Sequence, residues 1–222
     1  MKIFLTSILL MTATSAAVAS TNDIYTAIKL QHVEQTMSNS RLTSPRVSNR
    51  VDAPDRQTSF SGALAVGYVL EGGWRLEGEY TTRNRGNFTS YWAPFNANVN
   101  NLRVESERFM LNGYKDFPVT ERVSVYATTG LGVARVSADG YQTTTDRRFA
   151  RNTQNNLAYS AGLGLDVDLG NKLTVGAGYR YLYMGNVETG YNTFANRINA
   201  RDEQLKGRLH EQNLFLSLRQ GF

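Results

Sequence analysis

Two stretches in the carboxy-terminal half of the chain alternate with a strict period of two residues. Along 173–183 one set reads Leu173, Val175, Ala177, Tyr179, Tyr181, Tyr183 and the other Thr174, Gly176, Gly178, Arg180, Leu182. Along 157–169 the sets are Leu157, Tyr159, Ala161, Leu163, Leu165, Val167, Leu169 against Ala158, Ser160, Gly162, Gly164, Asp166, Asp168. Successive side chains of a β-strand point to opposite faces, so each stretch reads as a strand with one apolar face and one small or charged face. The same division holds for Phe60, Leu64, Val66, Tyr68, Leu70 against Ser61, Ala63, Ala65, Gly67, and for Trp74, Leu76, Tyr80 against Arg75, Glu77, Glu79. In a soluble sandwich the apolar faces of two sheets would share a core. Strands of ~10–13 residues suit a tilted outer-membrane crossing, which takes about 9–11, better than a soluble sheet, whose strands average about 5–6.

Three tight turn signals, Gly72-Gly73, Pro118-Val119-Thr120 and Gly170-Asn171, divide the chain into the pieces 20–71, 74–117, 121–169 and 171–222. Each piece reads as strand, polar segment, strand. The polar segments, roughly 34–59, 85–103, 139–155 and 185–207, are rich in Asn, Thr, Ser and Arg and are predicted as loops. Short turns alternating with long loops give an all-β fold: an eight-stranded antiparallel transmembrane up-and-down β-barrel with three short periplasmic turns and four long extracellular loops. Aromatic residues fall at the strand ends, with Phe60, Tyr80, Tyr159, Tyr181 and Tyr183 toward the loops and Tyr68, Trp74, Phe117 and Phe222 toward the turns. They form the two girdles expected at membrane interfaces.

Residues 1–19 read as an export leader rather than as part of the fold, which is assigned to 20–222. Lys2 is the positive start, Ile3 to Met11 the apolar core, and Ala17-Val18-Ala19 the small-residue cleavage site before Ser20. The competing reading, a signal anchor, needs an apolar run long enough for a bilayer core of ~30 Å, and this one is too short. The chain has no cysteine, which removes disulfide scaffolds and thiolate metal sites and suits an oxidising compartment. A mean hydropathy of −0.39 leaves no set of apolar runs of ~20 residues for a helical membrane protein.

The inward set contains Lys29, Arg75, Arg180 and Arg219 against Glu77, Glu79, Asp166 and Asp168. Eight strands enclose a lumen just wide enough for side chains. Charges confined there must pair, because an isolated one costs several kcal/mol of desolvation, so the set reads as a salt-bridge plug, with a charge-lined pore as its rival. The glycines at 130, 132, 162, 164, 176 and 178 leave room for large inward side chains. No helix follows Gly162-x-Gly164 or Gly176-x-Gly178 to present its N-terminus to a phosphate, so no nucleotide or nucleic-acid partner is expected. His32 and His210, the two histidines, have no compact nucleophile beside them, and neither catalysis, a metal nor a cofactor is expected.

The segments 109–117, 125–134, 156–164 and 175–181 are similar to successive strands of the opacity-type outer-membrane barrel superfamily, which includes the opacity adhesins and the Tia/Hek/PagN-type adhesin-invasins. The terminal strand resembles the signal that bacterial outer-membrane assembly machinery reads. Leu214, Leu216 and Leu218 lead to the terminal Phe222, with Gln220 interrupting the outward face. The resemblance implies an integral outer-membrane surface protein, both termini periplasmic, whose loops bind host glycosaminoglycans or matrix proteins. Arginines in the predicted loops are compatible with sulfate: Arg41, Arg46, Arg50 and Arg56 in the first, Arg85 and Arg103 flanking the second, and Arg197 and Arg201 in the fourth. Arg147, Arg148 and Arg151 in the third form the best single patch. The same arginines could instead hold the phosphates of neighbouring lipopolysaccharide. Tyr91, Trp92 and Phe95 form an aromatic cluster that either anchors a partner or dips into the lipid interface, and the shortness of their hairpin puts its tip nearest the membrane. A monomer is expected. The alternative functions are an envelope-maintenance barrel without a receptor and a narrow channel.

Overall fold

The structure, a computed structural model, describes residues 23–46, 48–50, 56–92 and 95–222. The leader assigned to 1–19 lies outside the described residues. Nine strands follow in order: β1 (Ile24–Thr43), β2 (Ser48–Arg50), β3 (Arg56–Leu70), β4 (Trp74–Trp92), β5 (Phe95–Pro118), β6 (Val123–Gln142), β7 (Arg148–Gly170), β8 (Leu173–Glu188) and β9 (Gln204–Gly221). Each long strand pairs antiparallel with the next, and β1 also pairs with β9 from Tyr25↔Gly221 to Thr43↔Gln204, which closes the sheet into an eight-stranded barrel. The three-residue β2 is an arm on the far end of β1.

The three turns fall at the predicted positions, and glycine and asparagine shape two of them. Gly72 and Gly73 take φ values of 71° and 76°, and Gly170, Asn171 and Lys172 take 84°, 53° and 61°, a left-handed region that glycine and asparagine enter most easily. The other end of the barrel differs from expectation. The strands run to between 15 and 24 residues, so much of the segments predicted as loops is sheet. The β4–β5 hairpin pairs out to Trp92↔Phe95, and β6 and β7 join through residues 143–147 alone. Among the described residues, only 189–203 forms a long, irregular connection.

The strands exceed the membrane because their polarity inverts partway along. In β5, even-numbered residues face inward from Asn100 to Asp116. Near the turns they are Arg108, Asn112 and Tyr114, with Phe109 and Leu111 exposed outside. Farther along, Leu102 and Val104 face in while Arg103 is exposed. The first half is a membrane barrel with apolar residues outside, and the second is a water-soluble barrel with apolar residues inside. The inner core of this second half joins Met37, Phe88, Val104, Val136, Phe149 and Leu209, with Phe194 from the irregular segment packed on it.

Candidate functional site

The lumen of the membrane half is filled by a layered charge network. Nearest the turns, Arg75 pairs with Asp116 through two bonds of 2.6 Å, and Asp166 accepts from Arg75 at 3.0 Å and Arg219 at 2.9 Å. In the next layer Lys29 contacts Glu77 at 2.5 Å and Glu79 at 2.6 Å, while Arg180 donates to both oxygens of Glu79 at 2.6 and 3.1 Å. Above it Arg108 bonds Glu211 at 2.6 Å and Gln31 at 2.9 Å. Seven of the eight residues predicted for the interior belong to this network. Asp168 does not: it is exposed, and its carboxylate accepts from the Gly170 amide at 2.8 Å, fixing the turn. Two residues further along β7 than the buried Asp166, it lies past the last interior layer. Arg108, Asp116 and Glu211 complete the set instead, giving five cations and five carboxylates.

Glycines make room for the aromatic members of the plug. A side chain at Gly164 or Gly178 would collide with the Tyr126 hydroxyl, and one at Gly67 with Tyr25. A gap of about 10 Å³ remains beside Lys29, Arg75 and Tyr126, room for at most about one water. The apolar core of the second half lies above this plug. A planar-bilayer recording of the wild-type barrel is therefore expected to show no current steps. Discrete conductance would contradict a packed lumen.

The predicted surface residues separate. Arg147 turns inward over the mouth, its guanidinium 4.0 Å from the Phe194 ring centre and bonded to Gln142 at 2.6 Å. Arg148 and Arg151 face outward, although three residues apart, because the β6–β7 register shifts between Ala138 and Gly140. With Arg103 of β5 they line a groove of about 490 Å³, to which Tyr141 and Thr193 also contribute. Its one acid, Asp139, stands 3.9 Å from Arg103 and 4.0 Å from Arg151. Arg148 donates from Nε to the Thr145 carbonyl at 2.7 Å and is otherwise exposed. The structure thus brings Arg103, rather than Arg147, beside Arg148 and Arg151, a grouping that the register shift conceals from the sequence.

Elsewhere, Arg46 clasps Asp202 through bonds of 2.6 and 2.8 Å, and Arg56 stands 3.4 Å from Glu34. Arg41 is exposed on β1, and Arg197 and Arg201 are exposed on the irregular segment. Arg50 lies on β2, and its side chain falls outside what is described, as do those of Tyr91, Trp92 and Phe95. The backbone nevertheless moves that aromatic tip. Asn100 pairs with Gln142, the last residue of β6, so 95–99 extend beyond the neighbouring strand rather than lying near the apolar band. Phe222 is exposed at the turn end, its amide bonded to the Ile24 carbonyl at 3.0 Å. His32 meets Phe60 edge-on, and His210 contacts the Tyr181 and Ser38 hydroxyls, so the two do not meet. No group of three His, Asp or Glu side chains among the described residues is placed to hold a metal.

The segment 189–203 is ordered by its own bonds. Asn192 donates to the carbonyls of Phe194 and Ala200 and accepts from the Glu203 amide, while Asn196 accepts from the amides of Ile198 and Ala200. Arg46 holds the Asp202 carboxyl below its ordinary range, chiefly through their hydrogen bonds. A carboxyl whose folded-state pKa is lowered contributes stability above its unfolded value and loses it as pH falls through the folded one. The clasp should survive mild acid and open only below the ordinary aspartate value of about 3.9. Amide exchange across 189–203, followed against pH, should accelerate only there.

A family model for the outer membrane protein beta-barrel domain matches residues 3–201. The chain belongs to this family. It is an integral protein of the bacterial outer membrane, and its likeness to the opacity-type barrels accords with the match. Outer membrane protein PagN of Salmonella typhimurium (strain LT2) is 27% identical over 165 residues, covering 67% of this chain and 68% of that protein. Among solved structures, Neisserial surface protein A superposes with a TM-score of 0.50 at 19% identity, covering 90% of this chain and 97% of that one. The Escherichia coli outer membrane protease OmpT gives 0.53 at 10% identity, covering 94% and 99%. At such identities the likeness shows the barrel alone. A surface protein and a protease share it, so activity has to be argued from this chain's own side chains.

Proposed function

We propose that the protein is an adhesin-invasin that presents the strand extensions and the segment 189–203 outside the cell, both termini lying in the periplasm, and binds sulfated host glycosaminoglycans. The groove formed by Arg103, Arg148 and Arg151 carries this reading. Arg103 and Arg148 face the single groove acid Asp139 with planar forks suited to a sulfate, Arg151 adds its charge although it also bonds Glu105 at 2.6 Å, and Tyr141 offers a ring on which a sugar face can lie. The likeness to PagN-type barrels supports the same class. Phe222 serves as the assembly signal, and the exposed Arg41, Arg197 and Arg201 at the far end of the barrel lend long-range attraction.

The test is retention of the refolded barrel on immobilised heparin. Replacing Arg103 and Arg148 with serine should weaken binding on the order of tenfold, a difference of about 1.4 kcal/mol. Wild-type binding should fall steeply with salt, since the screening length shrinks to about 3 Å at 1 M. Arg147→Ala should change retention little, because that guanidinium lies on Phe194. Unchanged retention in the double variant would remove the groove from the binding site and favour a barrel that serves the envelope itself.

A further inference from the structure

The outer wall of β4–β7 carries a second arginine cluster, set at the edge of the apolar band rather than at the barrel's far end. Glu107 and Arg135 pair across the ladder and stand two residues beyond Phe109 and Val133, both exposed on the apolar band. Two strand residues span about 7 Å. Arg83 reaches the same level just past Tyr80, where β4 bulges between Thr81 and Asn84. These side chains therefore sit at the depth where a leaflet's hydrocarbon gives way to its charged headgroups.

A recess of about 230 Å³ opens on this wall, lined by Arg83, Arg135, Arg151 and the hydroxyls of Ser137 and Thr153. Its acids are outnumbered. Glu105 faces Arg151 at 2.6 Å, Arg85 at 3.0 Å and Arg83 at 3.9 Å, and Glu107 faces Arg83 at 3.5 Å and Arg135 at 3.6 Å. The three arginines hold the Glu105 carboxyl below its ordinary range, led by the Arg151 hydrogen bond. Arg135, 61% exposed, lies at ion-pair but not hydrogen-bond distance from its acid, so its fork is open to another acceptor.

We propose that Arg83 and Arg135 seat a phosphate borne by an outer-leaflet lipid, the headgroup of a phosphorylated glycolipid such as lipid A. The acyl chains of that lipid would lie on Phe109, Val133 and Leu157 below while its phosphate meets the two guanidinium groups above. Three observations agree on it: the depth of the cluster, the polar recess at that depth, and the excess of arginine over carboxylate. The site rests on the barrel's place in the outer membrane and borders the glycan groove at Arg151, which lines both, so its test alters Arg83 and Arg135, which the groove does not use.

The experiment reconstitutes the barrel in nanodiscs of zwitterionic lipid doped with bisphosphorylated lipid A, and counts retained glycolipid by native mass spectrometry. Parallel arms use dephosphorylated lipid A, millimolar inorganic phosphate as competitor, and soluble heparin. The wild type should retain the bisphosphorylated lipid on the order of tenfold better than Arg83→Gln/Arg135→Gln, and Arg83→Lys/Arg135→Lys should fall between. Heparin affinity should stay the same in all three, and free phosphate should displace little, since it lacks the acyl contacts. Equal retention by the wild type and the glutamine variant would overturn the site, as would equal retention of the dephosphorylated lipid. Displacement by free phosphate alone would reassign the recess to a soluble anion. Both variants alter exposed side chains, and the heat-induced mobility shift of the folded barrel checks that they fold.

Discussion

Glu79→Gln should destabilise the barrel by about 3–5 kcal/mol, the usual cost of removing one partner from a buried ion pair. Glu79 is fully buried and binds both Lys29 and Arg180. Lys29 keeps Glu77 after the change, but Arg180, also fully buried, loses the carboxylate that meets two of its nitrogens. Lipid surrounds this layer outside and packed side chains close it within, so little water reaches the orphaned guanidinium. Urea unfolding from lipid vesicles would read the loss as a lower midpoint. The double variant Glu79→Gln/Arg180→Met removes both charges and should recover most of the stability, leaving Lys29 balanced by Glu77. A single variant within about 1 kcal/mol of wild type, or a double variant no better than the single, would show that the plug is hydrated rather than paired.

The membrane half was legible because it inverts the ordinary soluble pattern. An apolar face such as Leu157, Leu163, Leu165 against Ser160 and Asp166 leaves little doubt about which side meets lipid, and the three turns carry their own signals in glycine, proline and asparagine. The extension was obscured by the same logic applied one level too far. Leu102 and Val104 alternate with Arg103 and Glu105 as regularly as any strand residues, but with apolar side chains inward. A search for apolar faces turned outward reads that run as an unstructured polar loop. The bulge after Thr81 and the shift after Ala138 then break parity in β4 and at the β6–β7 junction, so Arg147, Arg148 and Arg151 could not be sorted by counting. Arg108 and Glu211 escaped for a related reason. Each lies near the level where polarity inverts, between an apolar outer face and an apolar inner one, and neither belongs to a clean run.

That inversion gives the surface half a stability of its own, which Phe149→Ala would expose. Phe149 is buried in the inner core of the extension and meets Phe194 edge-on, ring centres 5.7 Å apart. Truncating a buried phenylalanine to alanine costs about 3–5 kcal/mol, partly for the lost burial and partly for the cavity left behind. The charge plug stands between this core and the turns, so the loss should remain local. Amide exchange should quicken through 143–155 and 189–203 while Leu163 and Leu216, in the apolar band, keep their protection. Heparin retention should fall as well, with no charge altered, because Arg148 and Arg151 flank Phe149 on the same strand and their spacing depends on its packing. A uniform loss of protection along every strand would mean instead that both halves unfold as one unit. Retention unchanged beside a loosened core would mean that the arginines act through net charge, not through the geometry of the groove.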